Sequence, residues 1–321
     1  MKTTLTAIAL SALLACNVAT AQVSITQQGS GNGAYTEQQG TRYPGSLTAA
    51  TTIQIGNNNH AGDPVSHTPG ILQRERFEAA NARIFQQGDQ NTANIVQDGA
   101  AFTVNAIIEQ RGAGNTASLM QTIQTWSDGT IYQEGTNNLA RIEQRFVADS
   151  RFGAVQNGSD NKLSVLQDDA THNGPSVTQT GSGNSATVEL EHVLGSAALI
   201  EQLGSMNIAD SVVRTGEGNS NAIYQDGTGN VAMIQQIGSR VFGAAMAEIR
   251  QTGANNFASL LQDGPNGASI GQLGNDNFGT VVQTYVGPGD PNTAFIRQYG
   301  NGFSANIVQG GAGNSAGVYQ H

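Results

Sequence analysis

The sequence predicts an all-β fold, a repeat β-solenoid of strand-turn-strand units stacked into two facing parallel sheets. Three observations carry that expectation. A short motif, Q-x-G-x-x-N, recurs from one end of the chain to the other. Residues around each copy alternate between apolar and polar with a period of two, which is the period of a strand and not of a helix. The composition is also too poor in apolar residues for a wide layered core: of 321 residues 38% are hydrophobic and 12% charged, and 41 are glycine. Fourteen Lys and Arg stand against 24 Asp and Glu, a net charge of -10. That sign excludes a dedicated nucleic-acid binder, which neutralises phosphates with Lys and Arg.

Residues 1–21 read as a signal peptide. A basic start at Lys2 is followed by an apolar run over residues 5–15 and by Ala19-Thr20-Ala21, an A-x-A site that places cleavage after Ala21. Leu13-Leu14-Ala15-Cys16 offers a second reading, a lipobox that would lipidate Cys16. Either way the chain leaves the cytoplasm. Cleavage after Ala21 leaves a mature chain without cysteine, held together by backbone pairing and packing alone. No other stretch is apolar enough for a transmembrane span.

Residues 22–321 are one repeat read many times. The motif begins at Gln27, Gln54, Gln86, Gln110, Gln133, Gln156, Gln179, Gln202, Gln225, Gln251 and Gln272, and again at Gln309. From Gln110 to Gln225 the step is 23 residues each time. Gln298 opens a further copy, with Phe303 in place of the asparagine. Eleven residues after most of these glutamines lies a second one, at Gln38, Gln97, Gln121, Gln144, Gln167, Gln236, Gln262 and Gln283; Val65, Leu190 and Val213 take its place in three units. The count is about twelve units of roughly 23 residues, plus a half-unit ending at Gln320.

Each unit reads as strand, tight turn, strand, second turn. After the motif the chain runs N-x-A-x-[ILV]-x-Q, as in Asn91, Ala93, Ile95 and Gln97. Before it the same alternation appears in Ala106, Ile108 and Gln110. The first turn has fixed length. Its glycine (Gly88, Gly112, Gly135, Gly158, Gly181, Gly204, Gly227, Gly253 or Gly274) supplies a positive φ without steric cost. The second turn varies in length, and the two longest inserts are expected near residues 39–52 and 62–81.

Two short strands cannot bury an apolar face alone, but stacked units can. Parallel in-register stacking at about 4.7–4.8 Å would place identical residues on one another, giving a rod of roughly 60 Å. The amides expected to form ladders are Gln86, Asn91, Gln97, Gln110, Asn115, Gln121, Gln133, Asn138, Gln144, Gln156, Asn161, Gln167, Gln225, Asn230 and Gln236. A buried amide is tolerated there because its neighbours above and below satisfy it. Asp98, Asp226 and Asp263 stand at turns and next to repeat glutamines, where charge restrains unwanted aggregation.

These residues resemble the curlin repeat of bacterial curli fibres, S-x5-Q-x-G-x2-N-x-A-x3-Q. Residues 133–144 match it with Ser127 in front, and Ser150 before Gln156 and Ser196 before Gln202 match too. The leading serine is elsewhere replaced by Asn173, Asn219, Asn266 or Asn292. The resemblance implies a secreted structural subunit that self-assembles head to tail into extracellular amyloid fibres for biofilm matrix and cell adhesion. It implies a cell-surface, fimbrium-like location, other curlin-like subunits as partners, and export through a dedicated outer-membrane pore with chaperones. A fibre nucleator is the variant of this reading. A monomeric β-solenoid binding a surface or polysaccharide is the alternative from another class.

Catalysis and cofactors are not expected. The five histidines, His60, His67, His172, His192 and His321, fall in different turns or at the terminus without metal-ligand spacing on one strand. A polysaccharide-cleaving β-helix would need carboxylates clustered on one outer face, whereas the acids here scatter through turns.

Overall fold

The computed structural model describes residues 20–39, 47–74, 77–99, 101–123, 125–237, 244–286 and 289–321. Residues 1–19 of the expected signal peptide, Cys16 among them, and residues 40–46 of the first insert lie outside the described residues; Thr20 and Ala21 open the strand Thr20–Gln28. Every regular element among the described residues is a β-strand, and the strands wind into a parallel solenoid of about twelve turns. The chain divides into two compact units, Met1–Asp160 and Asn161–His321.

In the first unit, Thr20–Gln28, Leu47–Ile55, Phe77–Asp89, Ala101–Ala113, Ser127–Thr136 and Arg151–Ser159 pair in that order as one parallel sheet. The second sheet stacks Thr36–Gln39, Ile71–Arg74, Thr92–Asp98, Thr116–Thr122 and Leu139–Arg145. In the second unit the first sheet runs Ser176–Ser182, Ala197–Ser205, Ser220–Thr228, Met246–Ala254, Gly267–Leu273, Thr293–Tyr299 and Ser315–Gln320. Its second sheet runs Lys162–Asp168, Ser185–Leu194, Ile208–Glu217, Val231–Ile237, Phe257–Asp263, Phe278–Tyr285 and Ser304–Gly311.

The register joins like to like: Gln110 faces Gln86 on one side and Gln133 on the other. Alternation decides the core. In Thr92–Asp98, Ala93, Ile95 and Gln97 are buried while the residues between them face outward. Small positions of one sheet lie opposite large ones of the other. A Cβ on Gly129, which stands in an alanine row, would lie 2.8 Å from Leu119 Cδ1. The core is therefore a thin interdigitated layer, with alanine making room for Ile, Leu and Val.

Two expectations need correction. The first insert ends before Leu47, because Leu47–Ile55 is a complete strand of the first sheet. The second insert is interrupted: Ile71–Arg74 is an arm of the second sheet, and Gln73, not Val65, stands in the glutamine row between Gln38 and Gln97. What projects is an excursion beyond His60–Asp63, where Gly62 and Asp63 pair antiparallel with Pro69 and Thr68. Val65 sits on it, 86% exposed. The excursion displaces the second glutamine by eight positions relative to its regular spacing.

Candidate functional site

The candidate functional feature of this fold is a set of amide ladders that run from turn to turn. The ladders are built from buried side chains with complementary hydrogen bonds. In the first sheet of the first unit, each glutamine Nε2 donates to Oε1 of the next: Gln27 to Gln54 at 2.7 Å, Gln54 to Gln86 at 2.8 Å, Gln86 to Gln110 at 2.9 Å, Gln110 to Gln133 at 2.8 Å and Gln133 to Gln156 at 2.7 Å. The second N–H is used across the core, as where Gln110 Nε2 donates to the Thr92 carbonyl at 3.0 Å. In the second sheet Gln38, Gln73, Gln97, Gln121 and Gln144 repeat the arrangement. In the second unit, Gln179, Gln202, Gln225, Gln251, Gln272, Gln298 and Gln320 form one unbroken ladder.

The asparagines run the opposite way. Asn115 donates both its backbone N–H and its Nδ2 to Oδ1 of Asn91, each at 3.1 Å, and Asn138 does the same to Asn115 at 3.0 Å. In the second unit Asn184, Asn207, Asn230, Asn256 and Asn277 continue the pattern from Asn161. Each asparagine also reaches forward: Asn91 Nδ2 donates to the Gly112 carbonyl at 2.9 Å, and Asn115 Nδ2 to Gly135 at 3.0 Å.

This contact explains the glycine. Gly112 has φ +111°, and a Cβ there would lie 2.0 Å from the Gly135 carbonyl oxygen. Gly88, Gly135, Gly158, Gly181, Gly204, Gly227, Gly253 and Gly274 all have positive φ as well. The spacing Q-x-G-x-x-N is thus one device: glycine turns its carbonyl toward the preceding turn, and the asparagine of that turn binds it.

Sequence reasoning missed a second constrained position, just before the asparagine. Asn58, Gln90, Gly114, Asn137, Asp160, Gly183 and Met206 all have positive φ. The signal was present, since most of these are Gly, Asn or Asp, the residues that tolerate this region. The structure also accounts for asparagine in place of the leading serine. Asn266 Oδ1 accepts from the Asn292 backbone N–H at 3.1 Å, and Asn219 Oδ1 from Ala245 at 3.1 Å. Asparagine at this turn therefore joins successive turns.

The asparagine ladder stops at Phe303, whose backbone N–H alone binds Asn277 Oδ1, at 3.0 Å, and a glutamine ladder is interrupted too. In the second sheet of the second unit, Leu190 and Val213 occupy the glutamine row between Gln167 and Gln236. Gln236 is fully buried, and its Oε1 has no hydrogen-bond partner. In the second unit the second-sheet glutamine ladder ends at Gln309, and the first-sheet ladder ends on the strand Ser315–Gln320. Ala294, Ile296 and Gln298 of the strand before it are 5%, 0% and 0% exposed, whereas Ala316, Val318 and Gln320 are only half-buried. Gln320 Oε1 accepts from Gln298 at 2.9 Å and its Nε2 donates to the Ser304 carbonyl at 3.1 Å. Among the described residues no strand follows it.

The three acidic positions singled out at turns do not converge. Asp98 pairs with Arg74 at 3.1 Å, while Asp226 and Asp263 are exposed. Among the described residues no group of three or more His, Cys, Asp or Glu could hold a metal ion, and no helix is long and apolar enough to cross a membrane. No protein-family model matches the chain, and no curated protein matches it either.

Proposed function

We propose that the chain is a secreted structural subunit that self-assembles into curli-like extracellular amyloid fibres. The observation that supports this most directly is the polarised amide ladder, in which identical residues of successive parallel strands bond in register up to Gln320 on the last described strand, Ser315–Gln320. An exposed, uncharged, in-register strand is a template for another strand. One N–H of each Gln in the ladder points along the stack toward this strand, so an added strand with a glutamine opposite Gln320 would accept from it as Gln320 accepts from Gln298. Its natural occupant is a second copy, added head to tail. Location at the cell surface, a role in biofilm matrix and adhesion, and export through a dedicated outer-membrane pore follow from the resemblance to the curlin repeat.

The test uses residues 22–321 released from denaturant and followed by sedimentation and electron microscopy. The expected result is fibres after a lag that preformed seeds abolish, with a meridional reflection near 4.7–4.8 Å. A β-rich chain that stays monomeric for days, with or without seeds, overturns the proposal and leaves the surface-binding solenoid.

A further inference from the structure

The turn over residues 309–314 is out of character with its place in the fold. It joins a second-sheet strand, Ser304–Gly311, to a first-sheet strand, Ser315–Gln320, so by position it is a second turn. Its form is that of a first turn. Gln309 and Gln320 stand eleven residues apart, as Gln27 and Gln38 do, a step found at no other second turn. Gly311 and Gly313 have φ +99° and +70°, against +117° and +68° at Gly29 and Gly31. Asn314 Nδ2 donates to the carbonyl four residues back, at Gly310, as Asn32 Nδ2 does at Gln28.

This turn is open where the neighbouring first turn is closed. A Cβ on Gly274 would lie 1.9 Å from the Gly300 carbonyl oxygen, because the next turn stacks there. At Gly300 that place is filled from within: a Cβ would lie 2.8 Å from Phe303 Cε2. Phe303 also has no side-chain acceptor with which to continue the asparagine row. At Gly311 the place is vacant, the nearest atom to a Cβ being Asn314 Nδ2 at 3.7 Å. Asn314 gives its backbone N–H and its Nδ2 to Asn292 Oδ1, and among the described residues nothing donates to its own Oδ1. Gln309 and Gln320 each keep one Nε2 proton beyond those given to the Thr293 and Ser304 carbonyls. The complementary groups lie on Thr20–Gln28 and Thr36–Gln39. Gln27 and Gln38 donate to Gln54 and Gln73, and among the described residues nothing donates to their Oε1.

We propose that the turn over residues 309–314 receives the first turn of a second copy, residues 27–32, so that the two sheets exchange at the joint. Thr20–Gln28 of the second copy continues the second sheet on Ser304–Gly311, and its Thr36–Gln39 continues the first sheet on Ser315–Gln320. The exchange rests on the fibre reading and specifies which strands meet. Both glutamine ladders run on, Gln309 Nε2 donating to Gln27 Oε1 and Gln320 Nε2 to Gln38 Oε1. The Asn32 backbone N–H meets Asn314 Oδ1, and the Gly29 carbonyl fills the vacant place at Gly311. Stacking like sheet on like sheet would instead set residues 27–32 over Phe303. It would also leave one strand position of the second sheet empty, with the backbone groups on either side unpaired.

The experiment is disulfide cross-linking within fibres of residues 22–321, a span without cysteine. Exchange brings Val308 of one copy beside Thr26 of the next, one strand spacing or about 4.8 Å away and within disulfide reach. Stacking of like on like brings Tyr319 beside Thr26 instead. Two double variants are compared, Thr26→Cys with Val308→Cys and Thr26→Cys with Tyr319→Cys, all at exposed outward positions. The single variants report disulfides formed between neighbouring fibres, and electron microscopy establishes that fibres are present before oxidation. The expected result is a ladder of covalent multimers on a non-reducing gel from the Val308 pair and monomers from the Tyr319 pair. In fibres that are present, multimers from the Tyr319 pair alone, from both pairs equally or from neither overturn the exchange and leave fibre formation standing. Absence of fibres from the parent chain overturns the fibre reading itself, and the exchange with it.

Discussion

Gly204 and Gly183 belong to the same turn type yet do different work. Gly204 has φ +110°, and a Cβ there would lie 2.0 Å from the Gly227 carbonyl oxygen; Gly183 has φ +65° with nothing nearer than 3.7 Å. Alanine at residue 183 meets only the intrinsic penalty of the left-handed region, about 1–2 kcal/mol. At residue 204 it must also push two turns apart at the point where Asn207 Nδ2 binds the Gly227 carbonyl. Gly204→Ala is expected to cost at least about 3 kcal/mol, since strain and a lost buried hydrogen bond add. Urea denaturation of the unassembled variants checks this, and equal midpoints would contradict it. Asp210 gives a second expectation. Burial and, after it, the charge of Glu189 hold its carboxyl above the ordinary carboxylate value. The folded chain therefore holds that proton more tightly than the unfolded chain does, so stability falls as pH rises through the range just above that value and recovers as pH falls. Asp210→Asn is expected to be more stable than the parent at pH 7, by less than about 1 kcal/mol because the group is partly solvated. The difference should shrink toward pH 4, and one that grows on acidification would contradict this.

Where the ladder is interrupted, the arms themselves are intact. Leu190 and Val213 keep their register and are fully buried, so packing substitutes for amide pairing across two turns. Val213→Gln alone would give Gln236 Oε1 a donor but would leave the new Oε1 facing Leu190. Leu190→Gln together with Val213→Gln would complete the row. The two changes should therefore be non-additive: the double variant is expected to be more stable than the sum of the single effects predicts, by about 1–2 kcal/mol. Strict additivity in a denaturation cycle would show that the row carries no cooperative energy. These turns also show what could be read from residues alone. The 23-residue step and the inward rows Ala-x-Ile-x-Gln identified the arms, and the replacements at Leu190 and Val213 fell where spacing put them. The N-terminal turns were harder because two disguises coincide. Leu47–Ile55 turns Thr48 and Thr52 inward, and their buried hydroxyls lack partners, so a core strand reads as polar insert. The excursion after His60 then breaks the fixed spacing, and only the short alternation Ile71-Leu72-Gln73 marks the arm. The turn at Gln309 was legible in part. Its motif stands in the sequence, but that Gly311 is left uncovered while Phe303 covers Gly300 follows only from the stacked turns.

Stacking gives the solenoid a direction, because the Gln and Asn ladders are polarised oppositely and neither reads the same when reversed. An edge that offers Gln320 Nε2 as a donor calls for an acceptor, which Gln38 Oε1 of another copy would supply; a second Gln320 edge approaching it would not reproduce the parallel register. Assembly by a polar, heterologous contact of this sort produces an open filament. The decisive comparison is between two valine or isoleucine sites in consecutive strands of one row. Ile296 is fully buried and Val318 half-buried, opposite each other in register. Val318→Lys places its charge where solvent is still available, so the isolated chain should keep its circular dichroism and lose no more than about 1 kcal/mol of stability. Any strand added beyond it would bury that charge unpaired, at a cost of several kcal/mol. Growth of parent seeds at this edge should therefore stop once one Val318→Lys copy has added, whereas Ile296→Lys should unfold the surrounding turns outright. The same logic ranks the acidic positions. Asp226 and Asp263 are exposed on outward rows, while Asp98 is paired with Arg74. Asp226→Asn with Asp263→Asn is expected to shorten the sedimentation lag several-fold, and Asp98→Asn to shorten it less. If Val318→Lys elongates seeds as fast as the parent chain, growth does not pass through Ser315–Gln320, and the open edge loses its role in assembly.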